Sequence, residues 1–117
     1  MRGHIILSHG SGSGPEASKI SALAARAEAQ GWRTQRPDFR AHDDGGYAHA
    51  VAPRVAQLRT AIAACATPPV LVGSSMGAFA SALASLAAPV AALFLLATPP
   101  AVPGSGQALA LRAGVPT

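Results

Sequence analysis

The sequence predicts an α/β fold: a three-layer, doubly wound sheet of about four parallel strands with helices on both faces. Two patterns carry that expectation. Short apolar runs alternate with longer, Ala-rich stretches of helical periodicity. Gly/Ser-rich loops follow two of the short runs, at residues 9–15 and 73–77, where strands of such a sheet hand over to helices. Repeated strand–helix alternation implies right-handed crossovers and therefore parallel pairing. At 117 residues, with no internal repeat and no linker, residues 1–117 are expected to form one domain.

The elements follow in order. His4-Ile5-Ile6-Leu7-Ser8 reads as the first strand. Glu16 to Gln30 reads as a helix, because Ile20, Leu23, Ala24 and Ala27 recur at spacings of three and four, and Gly31 is a stop signal. Trp32 to Arg36 is a second, less apolar strand, placed nearer an edge. Pro37 to Gly46 is expected to be a polar loop. Tyr47 to Ala66 carries a helix on Val51, Val55, Leu58 and Ile62, with Pro53 expected in its first turn. Val70 to Gly73 is the third strand, Ser75 to Ala88 the third helix and Val90 to Leu96 the fourth strand. A Gly/Pro-rich tail follows, with one helical turn expected around Gln107 to Arg112.

Composition narrows the function. The net charge of +4 comes from Arg2, Lys19, Arg26, Arg33, Arg36, Arg40, Arg54, Arg59 and Arg112. These are scattered and not interleaved with aromatic residues, so nucleic acid is not an expected partner. Cys65 is the single cysteine, which excludes an internal disulfide and a cysteine metal cluster. The apolar stretch Val90 to Ala97 is far short of a membrane span, and Ile5-Ile6-Leu7 is too short for the apolar core of a signal peptide. The cytoplasm is the default location, with no membrane partner and no cofactor or metal called for.

The chemistry concentrates in Gly73-Ser74-Ser75-Met76-Gly77. A Gly-x-Ser-x-Gly pattern between a strand and a helix mounts its central serine on a tight, strained turn above the sheet. Acyl transfer by Ser75 needs donors for the developing oxyanion as well as a base. The Met76 amide is one candidate donor, at the start of a helix. The second is expected from His9-Gly10-Ser11-Gly12, through Gly10 or Ser11, since glycine lets backbone approach a ligand closely.

Leu7-Ser8-His9-Gly10 with its Gly-rich turn, the elbow at Gly73 to Gly77, and Leu93-Phe94-Leu95-Leu96 together resemble the first part of an α/β-hydrolase. The likeness is to small bacterial esterase-like or dienelactone-hydrolase-like members, and it covers essentially the whole chain. It implies strand order 2-1-3-4, Ser75 as nucleophile, and an oxyanion hole from Met76 with Gly10 or Ser11. His9 becomes a loop-shaping residue, and the substrate a small ester, thioester or related acyl compound. The acid and histidine of that family follow the nucleophile later in the chain. On that comparison residues 1–117 correspond to roughly the first half to two-thirds of the domain. Weak or absent activity is then expected from these residues alone.

Other residues invite weaker readings. His42 and His49 flank Asp43-Asp44-Gly45-Gly46; a turn-rich solvated loop is favoured there over a metal site or a substitute base. Asp38 is expected to shape its loop. Gly12-Ser13-Gly14-Pro15-Glu16-Ala17 loosely fits a dinucleotide fingerprint through Gly12, Gly14 and Ala17, with Arg33 or Arg36 placed to meet an NADP-type phosphate. A third reading is a non-catalytic interaction module, self-associating through the apolar edge strand 90–96.

Overall fold

The central strands of the sheet are β1 (His4–Ser8) and β3 (Val70–Ser74). Outside them lie β2 (Arg33–Gln35) and β4 (Ala92–Leu96), giving the order β2-β1-β3-β4 with every pair parallel. The computed structural model describes residues 2–117. The expected strand order and the edge position of the second strand are both borne out. Ile and Val dominate β1 and β3 because both faces of a parallel sheet are covered.

Side chains alternate between the two faces. Leu7 and Val72 pack against Ile20 and Ala24 of α1 (Ser18–Ala29). Ile6, Leu71 and Leu93 point the other way, into the larger core with Leu58 and Ile62 of α3 (Tyr47–Ala63) and Ala80 and Ala84 of α4 (Met76–Ala87). Every residue of α4 from Met76 to Ser85 is buried. Its small side chains let the helix lie close against the sheet on one side and α3 on the other.

Boundaries moved where local chemistry outweighed periodicity. α1 starts at Ser18, two residues after the expected Glu16. It closes as a Schellman motif: Gly31 (φ 90°) donates to Glu28 O and Trp32 to Ala27 O. The expected polar loop 37–46 contains a short helix, α2 (Arg40–Asp43), and a wholly buried Phe39. Asp38 accepts the Arg40 amide and pairs with the Arg40 guanidinium at 2.6 Å, which holds its carboxyl at about 2. α3 ends at Ala63, short of the expected Ala66, ahead of Pro68 and Pro69. Pro53 lies inside α3, beyond the first turn expected for it, where the carbonyl four residues back at His49 has no amide to accept. β4 begins at Ala92 instead of Val90.

The tail departs most. In place of a helical turn, β5 (Ala101–Val102) and β6 (Gln107–Ala108) form a short antiparallel hairpin. Val102 anchors it by packing against Val51, Met76, Phe79 and Leu83. Arg112 then donates to Ser85 O (3.0 Å) and Ala88 O (2.9 Å), satisfying carbonyls at the end of α4. Pro116 O accepts the Leu93 amide at 2.8 Å, so the last residues run beside the outer edge of β4.

Candidate active site

The turn from β3 into α4 is built on the absence of two side chains. A β-carbon on Gly73 would lie 2.5 Å from Ala78 N and from the Gly77 carbonyl. One on Gly77 would collide with the Ser8 carbonyl and lie 2.7 Å from His9 O. Between them Ser75 adopts φ 56°, ψ −117°, a conformation that costs a non-glycine residue about 1–3 kcal/mol. Its amide donates to Leu96 O (2.8 Å) and its carbonyl accepts from Phe79 N (3.1 Å), so the strained turn is pinned to β4 and to α4. The side chain is exposed, while Met76 beside it is buried at the start of α4.

The loop after β1 lies directly opposite. A β-carbon on Gly10 would be 3.5 Å from Ser75 Cβ and 3.4 Å from Ser74 O. His9 is fully buried beneath it. The Phe39 amide donates to His9 Nε2 at 2.9 Å, which makes Nε2 the unprotonated nitrogen. Nδ1 therefore carries the proton and donates to Gly10 O at 2.8 Å. Burial pushes the His9 pKa below 6.5, and the neighbouring Arg54 charge acts in the same direction against the Gly10 hydrogen bond. A neutral His9 with both nitrogens engaged by backbone is not poised to take a proton from Ser75.

The residue that organises this loop was not singled out in the sequence. Arg54, on α3, has none of its side chain exposed. It donates from Nη1 to His9 O (2.6 Å) and from Nη2 to Gly10 O (3.2 Å). The same guanidinium grips Asp43 through Nε (2.8 Å) and Nη2 (2.6 Å) and sits 4.7 Å from the centroid of the Phe39 ring. Arg54 was one of nine scattered basic residues in the sequence. Its only local signal is its place among the apolar positions of α3, between Val51 and Leu58.

A cleft of about 240 Å³ opens at Ser75, lined by Ser11, Tyr47, Met76, Pro99, Val102 and Pro103. The hairpin after β4 thus forms one wall and the Gly-rich loop another. Ser11 and Tyr47 also line an adjoining, more polar cleft of about 450 Å³ that includes Arg40 and Asp44. A still larger hollow, about 570 Å³, lies between the ends of α3 and α4, around Cys65, Pro68 and Ala88. It contains none of the residues predicted for the site.

The remaining candidates fall elsewhere. His42 Nε2 is hydrogen-bonded to Gln57 Oε1 (2.8 Å), and His49 packs against Gly45 in the first turn of α3. Among the described residues no group of His, Cys, Asp and Glu could hold a metal ion. No helix of the described residues is long and apolar enough to cross a membrane. Several groups of the dinucleotide reading are engaged within the protein. The Ala17 amide donates to Gly14 O, Gly14 lies against the Arg40 side chain, and Arg36 is engaged by Pro15 O and Ser21 Oγ.

An exposed serine on a strained strand–helix turn, an opposing glycine loop and a helix N-terminus behind them suit attack on a carbonyl carbon. Comparison with known proteins agrees in class. The family model described as "Alpha/beta hydrolase family" matches residues 5–117. A solved structure from Xanthomonas campestris pv. campestris, of a protein assigned to the alpha/beta superfamily of hydrolases, is 43% identical with a TM-score of 0.90. The match covers 98% of this chain and 68% of that one. The curated proteins contain no match. The chain belongs to the alpha/beta hydrolase family.

Proposed function

We propose that this protein is a serine hydrolase in which Ser75 attacks a small ester, thioester or related acyl substrate. The amides of Met76 and of Gly10 or Ser11 stabilise the oxyanion. The observation that carries this reading is the Ser75 backbone, held at φ 56° by two glycines whose side chains the turn has no room for. Strain of this kind persists where surrounding structure enforces it, typically at functional sites. The cleft at Ser75 is small and walled by Met76, Pro99 and Val102, which suits a compact apolar acyl group.

The base is the missing part. His9 is fully engaged, His42 is bonded to Gln57, His49 packs against Gly45, and His4 starts β1 at the opposite edge of the sheet from Ser75. With no base set beside Ser75, slow or no turnover is expected from residues 1–117 alone. A serine without triad partners retains only the contributions of binding and the oxyanion hole, orders of magnitude below a complete site. The test is labelling by a fluorophosphonate, in which Ser75 Oγ displaces fluoride from phosphorus. Labelling of the wild type and not of Ser75→Ala supports the reading; equal labelling of both refutes it, and no labelling of a folded wild type excludes catalysis by residues 1–117 on their own.

A second reading concerns association between copies through strand 90–96. The observation in its favour is Phe94, which is 53% exposed on β4 beside an apolar hollow of about 320 Å³ bordered by Leu7, Leu23, Trp32 and Val72.

A further inference from the structure

We propose that Arg54 is a positioning residue that fixes the direction of the Gly10 and Ser11 amides opposite Ser75. For its catalytic consequence this rests on the serine-hydrolase reading above.

A wholly buried guanidinium is a costly choice for a helix face that otherwise packs Val51, Leu58 and Ile62. Replacing a buried ion pair by apolar side chains is often neutral or stabilising, so core packing alone does not account for Arg54 with Asp43. What an apolar residue could not do is hold two successive carbonyls. Arg54 takes His9 O and Gly10 O with adjacent arms of one planar fork. The Gly10 carbonyl is secured further by His9 Nδ1–H and by Ser13 Oγ at 3.0 Å.

Peptide geometry turns this into a statement about donors. No peptide bond among the described residues is cis. Across a planar trans peptide the C=O and N–H point in opposite directions. A His9 carbonyl drawn inward to Arg54 therefore turns the Gly10 N–H outward. A Gly10 carbonyl drawn inward turns the Ser11 N–H outward in the same way. Neither amide has a protein acceptor among the described residues. Gly10 lies against Ser75 and Ser11 lines the same cleft. Asp43 completes the device by fixing the guanidinium from the far side, through two hydrogen bonds from α2.

The experiment compares the wild type with Arg54→Lys, Arg54→Ala and Asp43→Asn by two measurements. In 15N relaxation, the wild-type Gly10 and Ser11 amides are expected to be rigid. In Arg54→Lys, whose ammonium lacks the fork, they gain mobility while β1 and α4 do not change. In fluorophosphonate labelling, the rate at saturating probe falls about ten- to hundredfold with little change in half-saturating concentration. Millimolar guanidinium partly restores Arg54→Ala; loss of fold alone would not respond this way, because guanidinium is a denaturant. Asp43→Asn shifts both measurements in the same direction by less, and keeps the test decisive if the Arg54 variants do not fold. Loop amides as rigid in folded variants as in the wild type, or unchanged labelling rates, overturn the proposal. If the wild type itself is not labelled, residues 1–117 do not catalyse on their own, and the relaxation measurement still decides the role of Arg54.

Discussion

The backbone carbonyl of Ser8 occupies the space a β-carbon on Gly77 would need. Two elements meet there, the end of β1 and the first turn of α4, with no side chain between them. Gly77 is a helical position, where alanine is ordinarily favoured by about 1 kcal/mol. The collision outweighs that preference because the obstacle is backbone within the sheet, which cannot swing aside. Gly77→Ala is expected to destabilise by about 3 kcal/mol or more. Gly10→Ala meets only contacts of 3.4 Å and beyond, so it should fold nearly normally while crowding Ser75. Urea midpoints of the two variants check this: comparable midpoints would mean that the close approach at Gly77 is not what shapes the elbow.

Ser75 and Ala97 are the non-glycine residues with positive φ among those described, and Leu96, next to Ala97, accepts the Ser75 amide. Each conformation costs stability that glycine would not. Ala97→Gly is expected to stabilise by about 0.5–1 kcal/mol once the extra freedom of the unfolded chain is offset. Ser75→Gly should gain at least as much, since ψ −117° takes Ser75 outside the left-handed helical region as well. Ser75→Gly would also lose all labelling by fluorophosphonate, a trade of activity for stability. A destabilised Ser75→Gly would show that the turn is not strained.

His9 makes stability depend on pH in a definite direction. Its folded pKa lies below the ordinary 6.5, chiefly because it is buried. Protonation would also set an Nε2 proton against the Phe39 amide that now donates there. A lowered histidine pKa means that the unfolded chain takes up the proton first. The stability His9 confers is therefore complete above pH 6.5 and is lost as pH falls from there toward its folded pKa. One such group contributes a slope of at most about 1.4 kcal/mol per pH unit. Denaturation of wild type and His9→Gln across this range checks it: the variant should lose that part of the slope. Equal slopes would mean that His9 is not held neutral.

These residues show how far a sequence carries. The parallel sheet and the elbow were legible because each has a local signature: alternation of periods for the sheet, two glycines bracketing a serine for the turn; the strand order came only from the family resemblance. Even the edge character of β2 could be read from its weak apolarity. Arg54 could not be read, because its partners, the carbonyls of His9 and Gly10, lie more than forty residues away and carry no side-chain signal. Asp43 looked like part of a solvated turn for the same reason: its ion pair depends on how α2 and α3 meet. The hairpin after β4 was mistaken for a helical turn because its anchor is Val102, buried against Met76 and Phe79 of α4.

Phe94 decides the association reading. In register, Val72 pairs with Phe94 and Gly73 with Leu95, so Phe94 shares the α1 face of the sheet while Leu95 turns toward the larger core. α1 packs against β1 and β3 but leaves Phe94 53% exposed. A charge at Leu95 would test folding as much as association; a charge at Phe94 tests association alone. The edge itself is less open than an unpaired strand, since Pro116 O already accepts the Leu93 amide. Association should therefore depend on the Phe94 face more than on free backbone groups. Phe94→Lys is expected to weaken it by about tenfold or more, given roughly 25 cal/mol per Å² of apolar surface withdrawn from water. The thermal midpoint should move little. Sedimentation velocity over a concentration series measures the effect. A wild type that stays monomeric throughout, or a Phe94→Lys variant that associates as strongly, rules out pairing through this strand.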